Sequence, residues 1–389
     1  MKIQSINIPG KRLPMTLVEL HADNGLVGIG GCEAPVSAVR PILESPPWSL
    51  ADRVVGRDPA DLGIIWRELI ETIQWQGGVA LNAAAALDMA LWDLLGKSLN
   101  QPLFKLFGGA VQPKVMAYAS ATAFDLSNYR PGIEPPLKSP QKLADECRES
   151  VAAGFKAVKF GWGDHFAAED EDRLAAIRGA VGPDVRVMID FGCPAYFGPG
   201  VSPQSARRKA DVLKKYDVYF MEEPLPPFDA EGHAELTRSS AVPIASGEML
   251  CHDYEFDRFL DTRAVDVIQP DAYRIGVTQT LRVARRAGER GMLCVPHSPW
   301  SALAIAAHVN VLATCPAGIM TEFPGASLFR DTLRHGEVTR INTHTIVTSA
   351  LLTADGFLPL PTLPGLGVGQ FVDEAISRVE ALATEGLER

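Results

Sequence analysis

Residues 185–190 read VRVMID and residues 218–222 read VYFME, two short apolar runs that each close on a carboxylate. The pattern continues outward along the chain. PIASGE closes on Glu248, VDVIQPD on Asp271, MLCVPH on His297 and GIMTE on Glu322, at intervals of 23 to 32 residues. Each interval holds one strand, one turn and one helix, which is the repeat of a parallel βα barrel. The loops after the strands build the active face of such a barrel, so six ionisable groups at the same end of six units converge on one mouth. The series predicts an enzyme of the α/β class: a (β/α)8-type barrel joined to an α+β capping domain.

Bulk properties narrow the function. At 389 residues the chain exceeds the roughly 250 of a barrel alone, which leaves length for a second module. A hydrophobic content of 47% and a mean hydropathy of +0.04 predict a sizeable core. The formal net charge of −10 argues against nucleic acid or an anionic membrane as partner. An anionic substrate must then be attracted locally, by a metal or by placed cations. Six cysteines lie scattered without CxxC or zinc spacing and read as reduced, mostly buried thiols. The N-terminal MKIQSINIPGKRLP has no apolar h-region, so a cytoplasmic location is expected. The apolar stretch at 79–95 is interrupted by Asn82, Asp88 and Asp93 and reads as a buried helix rather than a membrane span.

Three segments follow from the patterning. Residues 1–112 open with alternating strand sequence (IQSINI, then TLVELHADNGLVGIG with a turn at Asp23–Asn24–Gly25) and continue with helices. A Gly/Pro boundary at LFGGAVQP precedes VMAYAS (115–120), the expected first barrel strand. The barrel is expected over 113–345, with helices at 141–153, 168–181, 204–216 and 278–290. The Pro/Gly-rich tail, 346–389, is expected to pack back on the N-terminal module.

Asp190, Glu222 and Glu248 lie on consecutive strands and supply oxygen ligands alone. That set suits a hard divalent cation, one Mg²⁺ per site, rather than zinc. Without a cation three clustered carboxylates repel one another and raise each other's pKa. A single carboxylate at a strand end usually caps a loop or pairs with arginine; three in register point to a metal. Asp271 and His297 end neighbouring strands, and a carboxylate beside an imidazole orients it and raises its basicity, as a general base needs. Lys159, within the buried-looking GFKAVKF (154–160), is the cation that would neutralise a substrate carboxylate or a developing enediolate; Lys156 reads as exposed.

These motifs together resemble the enolase superfamily in its mandelate racemase-like branch. MID190, ME222EP and SGE248 are similar to its three metal-ligand strands, QPD271 with VPH297 to its Asp–His dyad, and TE322FP to its eighth-strand glutamate. VELHADNGLVGIGG, GRDP (56–59) and ALDMALWDLLGKSLNQPLFKLFGG resemble its cap, and DGFLPLPTLPGLGV its tail. The resemblance implies Mg²⁺-assisted removal of the proton α to a carboxylate, with Glu322 hydrogen-bonding the enediolate. That role requires Glu322 to be protonated or paired with a proton-bearing partner.

Two departures shape the expected reaction. Gly161 stands where the family pattern Lys-x-Lys places a second base, and Gly192 replaces a common Asn. A racemase needs acid–base groups on both faces of the α-carbon, whereas a dehydratase can work with one histidine acting as base and then acid. The expected function is an Mg²⁺-dependent acid-sugar dehydratase, acting on an aldonate or aldarate to give a 2-keto-3-deoxy acid. The alternatives are an epimerase, racemase or cycloisomerase using the same enediolate, for which His165 would restore the second base, and a catalytically retired carboxylate binder. Arg12 in the short first cap loop, His165, Tyr196, Tyr273 and Trp300 are the candidate substrate contacts, with Arg274 following the same site strand as Tyr273. A homo-oligomer is expected.

Overall fold

The computed structural model describes residues 1–8, 15–47, 49–74, 77–125, 135–163, 170–192, 201–298, 301–325 and 352–368. Three antiparallel strands open the chain: β1 (Ile3–Asn7), β2 (Thr16–Ala22) and β3 (Val27–Cys32). Between β2 and β3 the Asn24 side chain accepts from the Leu26 N–H at 3.2 Å, and Gly25 takes a φ of +82° that its lack of a Cβ permits. The helix Gly78–Ser98 lies against β3. A Cβ on Gly28 or Gly30 would fall 2.3 Å from the Ala90 carbonyl or 2.1 Å from that of Ala86, so VGIGG is what lets helix and sheet touch backbone to backbone.

Eight parallel strands follow: β4 (Lys114–Thr122), β5 (Ala157–Gly161), β6 (Arg186–Asp190), β7 (Val218–Glu222), β8 (Ile244–Ser246), β9 (Val267–Ile268), β10 (Leu293–Cys294) and β11 (Met320–Pro324). Strand neighbours follow chain order from β4 to β10, and β11 returns to pair with β4. A single bridge between Cys294 and Gly318, with the Cys294 N–H donating to the Ala317 carbonyl at 2.9 Å, joins the last two strands. The sheet is thus curled into a barrel. Its helices include Pro140–Ala152, Asp170–Val181, Pro203–Lys215, Ala230–Ser239, Asp253–Thr262 and Ala302–Leu312. A further strand, β12 (Phe357–Pro359), pairs antiparallel with the start of β4.

Side chains of a strand alternate between its two faces, and here one buried residue per strand fills the barrel: Tyr118, Ala157, Met188, Phe220, Ala245, Val267, Val295 and Met320. The intervening Val187, Ile189, Met221, Ile244 and Ile268 pack outward with the helices. Both faces are covered, which is why the runs are apolar almost throughout. The next inward position on each strand lies two residues on. That step carries the chain from the apolar plug to Lys159, Asp190, Glu222, His297 and Glu322.

The helix Gly78–Ser98 is long and apolar enough to cross a membrane by length and composition, yet it is mostly buried within the fold. Its three polar interruptions each bind backbone of other segments. Asn82 donates to the Arg274 carbonyl at 3.3 Å. Asp88 accepts from the Thr278 N–H at 2.9 Å, and Asp93 accepts from the Ile29 and Leu366 N–H groups at 2.9 and 2.8 Å. They fasten β3, the barrel and the chain after β12 to one rod. Where a helix was expected over 278–290, the structure has Ala272–Glu289 with a break at Gly276 (φ 76°, ψ 172°).

Candidate active site

Lys159 reaches the mouth from the middle of β5 and is almost wholly buried. Its ammonium lies 2.6 Å from Glu222 Oε1, 3.2 Å from Glu322 Oε1 and 3.3 Å from Asp190 Oδ2. Burial alone would favour the neutral amine, but Glu222, Glu322 and Asp190 hold its pKa well above the ordinary lysine value. Asp190 and Glu222 are register partners at the ends of β6 and β7. The Gly192 N–H donates to Asp190 Oδ1 at 2.7 Å, in a turn where Gly192 has a φ of +59°.

Glu222 has no accessible surface, and its Oε2 has no hydrogen-bond partner among the described residues. Burial pushes its carboxyl up to about 8, with Asp190, Glu322 and Glu248 adding to the rise and Lys159 opposing it. Burial likewise raises Glu248. Among the described residues no three acidic, His or Cys side chains close around one point, since the Lys159 ammonium stands between Asp190 and Glu222. The donor set nevertheless fits a hard cation. It is made of oxygens, burial and neighbouring carboxylates disfavour the charged form of Glu222 and Glu248, and one buried oxygen has no partner among the described residues.

His297 and Asp271 form the pair expected of them. His297 Nδ1 lies 3.0 Å from Asp271 Oδ2, and its Nε2 faces Glu248 Oε2 at 3.5 Å. Burial works against a charged imidazole, but Glu248 and Asp271 hold its pKa well above the usual value. Asp271 is fully buried and caps the turn that follows, its Oδ1 accepting from the Tyr273 N–H at 2.8 Å. With Oδ1 committed to the backbone, Oδ2 is fixed toward the imidazole. Glu322 accepts from the Ser298 N–H at 3.0 Å. Burial opposes its ionisation, yet Lys159, His297, the Ser120 hydroxyl and the Ser298 N–H bring its carboxyl down to about 2. Of the two conditions set for its role, pairing with a proton-bearing partner is therefore the one met here, through Lys159.

Gly161 ends β5 opposite Asp190 in register, and among the described residues a Cβ there would meet only the Ala121 carbonyl, at 3.8 Å. Tyr273 is fully buried, with its hydroxyl bonded to Ser301 and close to Gly31 of the cap, and so packs the junction of the two modules. Arg274 pairs with Glu33 of the cap at 2.9 Å. Arg12, His165, Tyr196 and Trp300 lie outside the described residues.

Sequence reading missed two contributors. Ser120 is one pleat above the plug residue Tyr118, a signal available once the alternation of AYAS is followed. His308 lies in mid-helix and has no such signal. Its Nε2 accepts the Ala272 N–H at 3.1 Å and lies 3.9 Å from Asp271 Oδ1. Burial lowers its pKa to about 4, so it stands behind the dyad as a neutral ring.

Residues 10–108 match the family described as mandelate racemase/muconate lactonizing enzyme, N-terminal domain, and residues 142–374 match enolase C-terminal domain-like. The chain belongs to the enolase superfamily. It is an enzyme that works through an enolate formed from a small carboxylate substrate. Among its relatives, D-galactonate dehydratase of Ralstonia nicotianae is 27% identical over 380 residues, covering 94% of this chain and 91% of that protein. D-galactarolactone cycloisomerase of Agrobacterium fabrum is 28% identical over 369 residues, with coverage of 94% and 91%. A solved racemase from Streptomyces coelicolor A3(2) with bound magnesium shares the fold at a TM-score of 0.75 and 24% identity, over 96% of this chain and 99% of that one.

Proposed function

We propose that this enzyme dehydrates an acid sugar, an aldonate or aldarate, to a 2-keto-3-deoxy acid. The observation that carries the reading is an acid–base apparatus that, among the described residues, is one-sided. The His297–Asp271 pair is complete at 3.0 Å, while Gly161 presents no side chain where a second base would stand. Asp190, Glu222 and Glu248 would hold Mg²⁺, which supplies Lewis-acid stabilisation of the substrate carboxylate and of the negative charge that develops on it. The neutral form of His297 removes the α-proton at Nε2, with Asp271 holding Nδ1 and stabilising the imidazolium that forms. The Lys159 ammonium lies in reach of that carboxylate, and Glu322 shares its proton. The imidazolium then returns the proton to the departing β-hydroxyl on the same face. Water leaves, and the enol tautomerises to the keto acid.

The test is a panel of diastereomeric aldonates and aldarates with MgCl₂, assayed for 2-keto acid with semicarbazide, run beside His297→Asn. Keto acid from the wild type and none from the variant is the expected result. Cycloisomerisation is the second reading, favoured by the Agrobacterium relative. Consumption of a sugar lactone without keto acid would replace the first reading with it. Solvent deuterium entering the α-carbon of recovered substrate, without water loss, would instead indicate an epimerase.

A further inference from the structure

One pleat above the apolar plug, the eight strands present Ser120, Lys159, Asp190, Glu222, Gly247, Gln269, His297 and Glu322 to the barrel interior. Every side chain in this ring except that of Gln269 has a contact or a role in the site described above. The alternation that turns it inward is well defined. Val267 belongs to the interior plug, Ile268 packs outward, and the ladder continues past β9, with the Gln269 N–H donating to the Ser246 carbonyl at 3.1 Å. Asp271 lies one further pleat up the same strand.

Gln269 has no accessible surface, and among the described residues neither its amide nitrogen nor its amide oxygen has a hydrogen-bond partner. An amide brings two donors and an acceptor, and burying it with all of them unmade is costly. Leucine or methionine would fill such a position without that cost. The charged and backbone N–H donors named around it are already committed. The Lys159 ammonium is shared among three carboxylates, and the Ser298 N–H is held by Glu322. An incoming carboxylate substrate, rich in oxygens, needs N–H groups that are not already committed.

We propose that Gln269 is a substrate-binding residue whose amide hydrogen-bonds oxygens of the bound carboxylate substrate at the floor of the mouth. The proposal rests on the reading of that mouth as a carboxylate site. Its test needs no knowledge of the true substrate. Tartronate, a 2-hydroxy dicarboxylate with no β-hydroxyl to lose, serves as an inert probe and is titrated by calorimetry with MgCl₂ into wild type and Gln269→Leu. Thermal melts of both proteins are taken without ligand.

We expect the leucine variant to melt within about 2 °C of wild type or above it, because an unpaired amide has been removed. Its tartronate affinity should fall on the order of 10- to 100-fold, the loss of a hydrogen bond to a charged group. If Gln269→Leu misfolds, Gln269→Met, unbranched and closer in shape, takes its place. A lower melting temperature with unchanged tartronate affinity would show a structural glutamine and overturn the proposal. So would unchanged values of both, or a wild type that does not bind tartronate. An acid-sugar panel that yields no product would fail the dehydratase reading alone, while weaker tartronate binding by the variant would still support Gln269.

Discussion

At the scale of single residues the site separates two duties that one side chain performs. Asp271 caps the following turn through Oδ1 and orients His297 through Oδ2. Asparagine can keep the cap but offers the imidazole the wrong partner, so Asp271→Asn should fold normally and lose kcat on the order of 10³- to 10⁴-fold. Asp271→Ala should lose comparable activity and, in addition, about 1 kcal/mol of stability from the missing cap, measured by urea titration. Gly161 offers the converse experiment. Its Cβ meets no close contact among the described residues, so Gly161→Lys should melt within about 2 °C of wild type. It should also add exchange of the α-proton with D₂O, read by NMR on recovered substrate; a variant that folds but exchanges no faster would argue against Gly161 as the vacated base position. The dyad was legible because each member closes an apolar run. His308 was not, since nothing in a helical sequence says which side chain lies behind a strand end of another unit.

At the scale of elements the decisive feature is the break at Gly276. The first turn after Asp271 stops there, and the helix resumes with Asp88 of the cap accepting from the Thr278 N–H at 2.9 Å. A Cβ on Gly276 would lie 2.6 Å from Asp88 Oδ2, at a φ of +76°. Gly276→Ala should therefore cost about 2–4 kcal/mol in urea unfolding, from strain and steric conflict combined. Burial raises the Asp88 carboxyl to about 7, above its unfolded value. The sign of the linkage follows: its contribution to stability is full below about pH 4 and is lost as pH rises through about 7. Asp88→Asn, neutral throughout, should flatten that part of the profile, which urea titrations at pH 5 and pH 8 on both proteins would show. Strands and most helices were legible from alternation and spacing. The break was not, because it depends on a carboxylate that arrives from a helix nearly two hundred residues earlier.

At the scale of the whole molecule the barrel gathers five carboxylates, a lysine and a histidine into one buried mouth, and that concentration of charge has a thermodynamic consequence. A cation that binds the folded site and not the unfolded chain stabilises by mass action, about 2.7 kcal/mol at a hundred times its Kd. Millimolar MgCl₂ should thus raise the melting temperature of the wild type by several degrees. The rise should be absent in Glu222→Gln, which removes the carboxylate whose Oε2 lacks a partner among the described residues. An equal rise in both proteins would remove Glu222 from the ligand set.

The sequence by itself determined the class of fold, and it named strand-end residues that the structure brings close to one another. These are local properties: the two-residue alternation of a strand and the regular spacing of βα units survive in the order of letters. Only the tertiary structure decided the ionisation of those groups and their commitments to one another. Lys159 is shared among three carboxylates, Lys159 and His297 favour the charged form of Glu322, His308 backs the dyad, and Gln269 stands buried with no partner among the described residues. Each of these states is set by burial and by neighbours on other strands, and closure of the barrel is what brings those neighbours within a few ångströms.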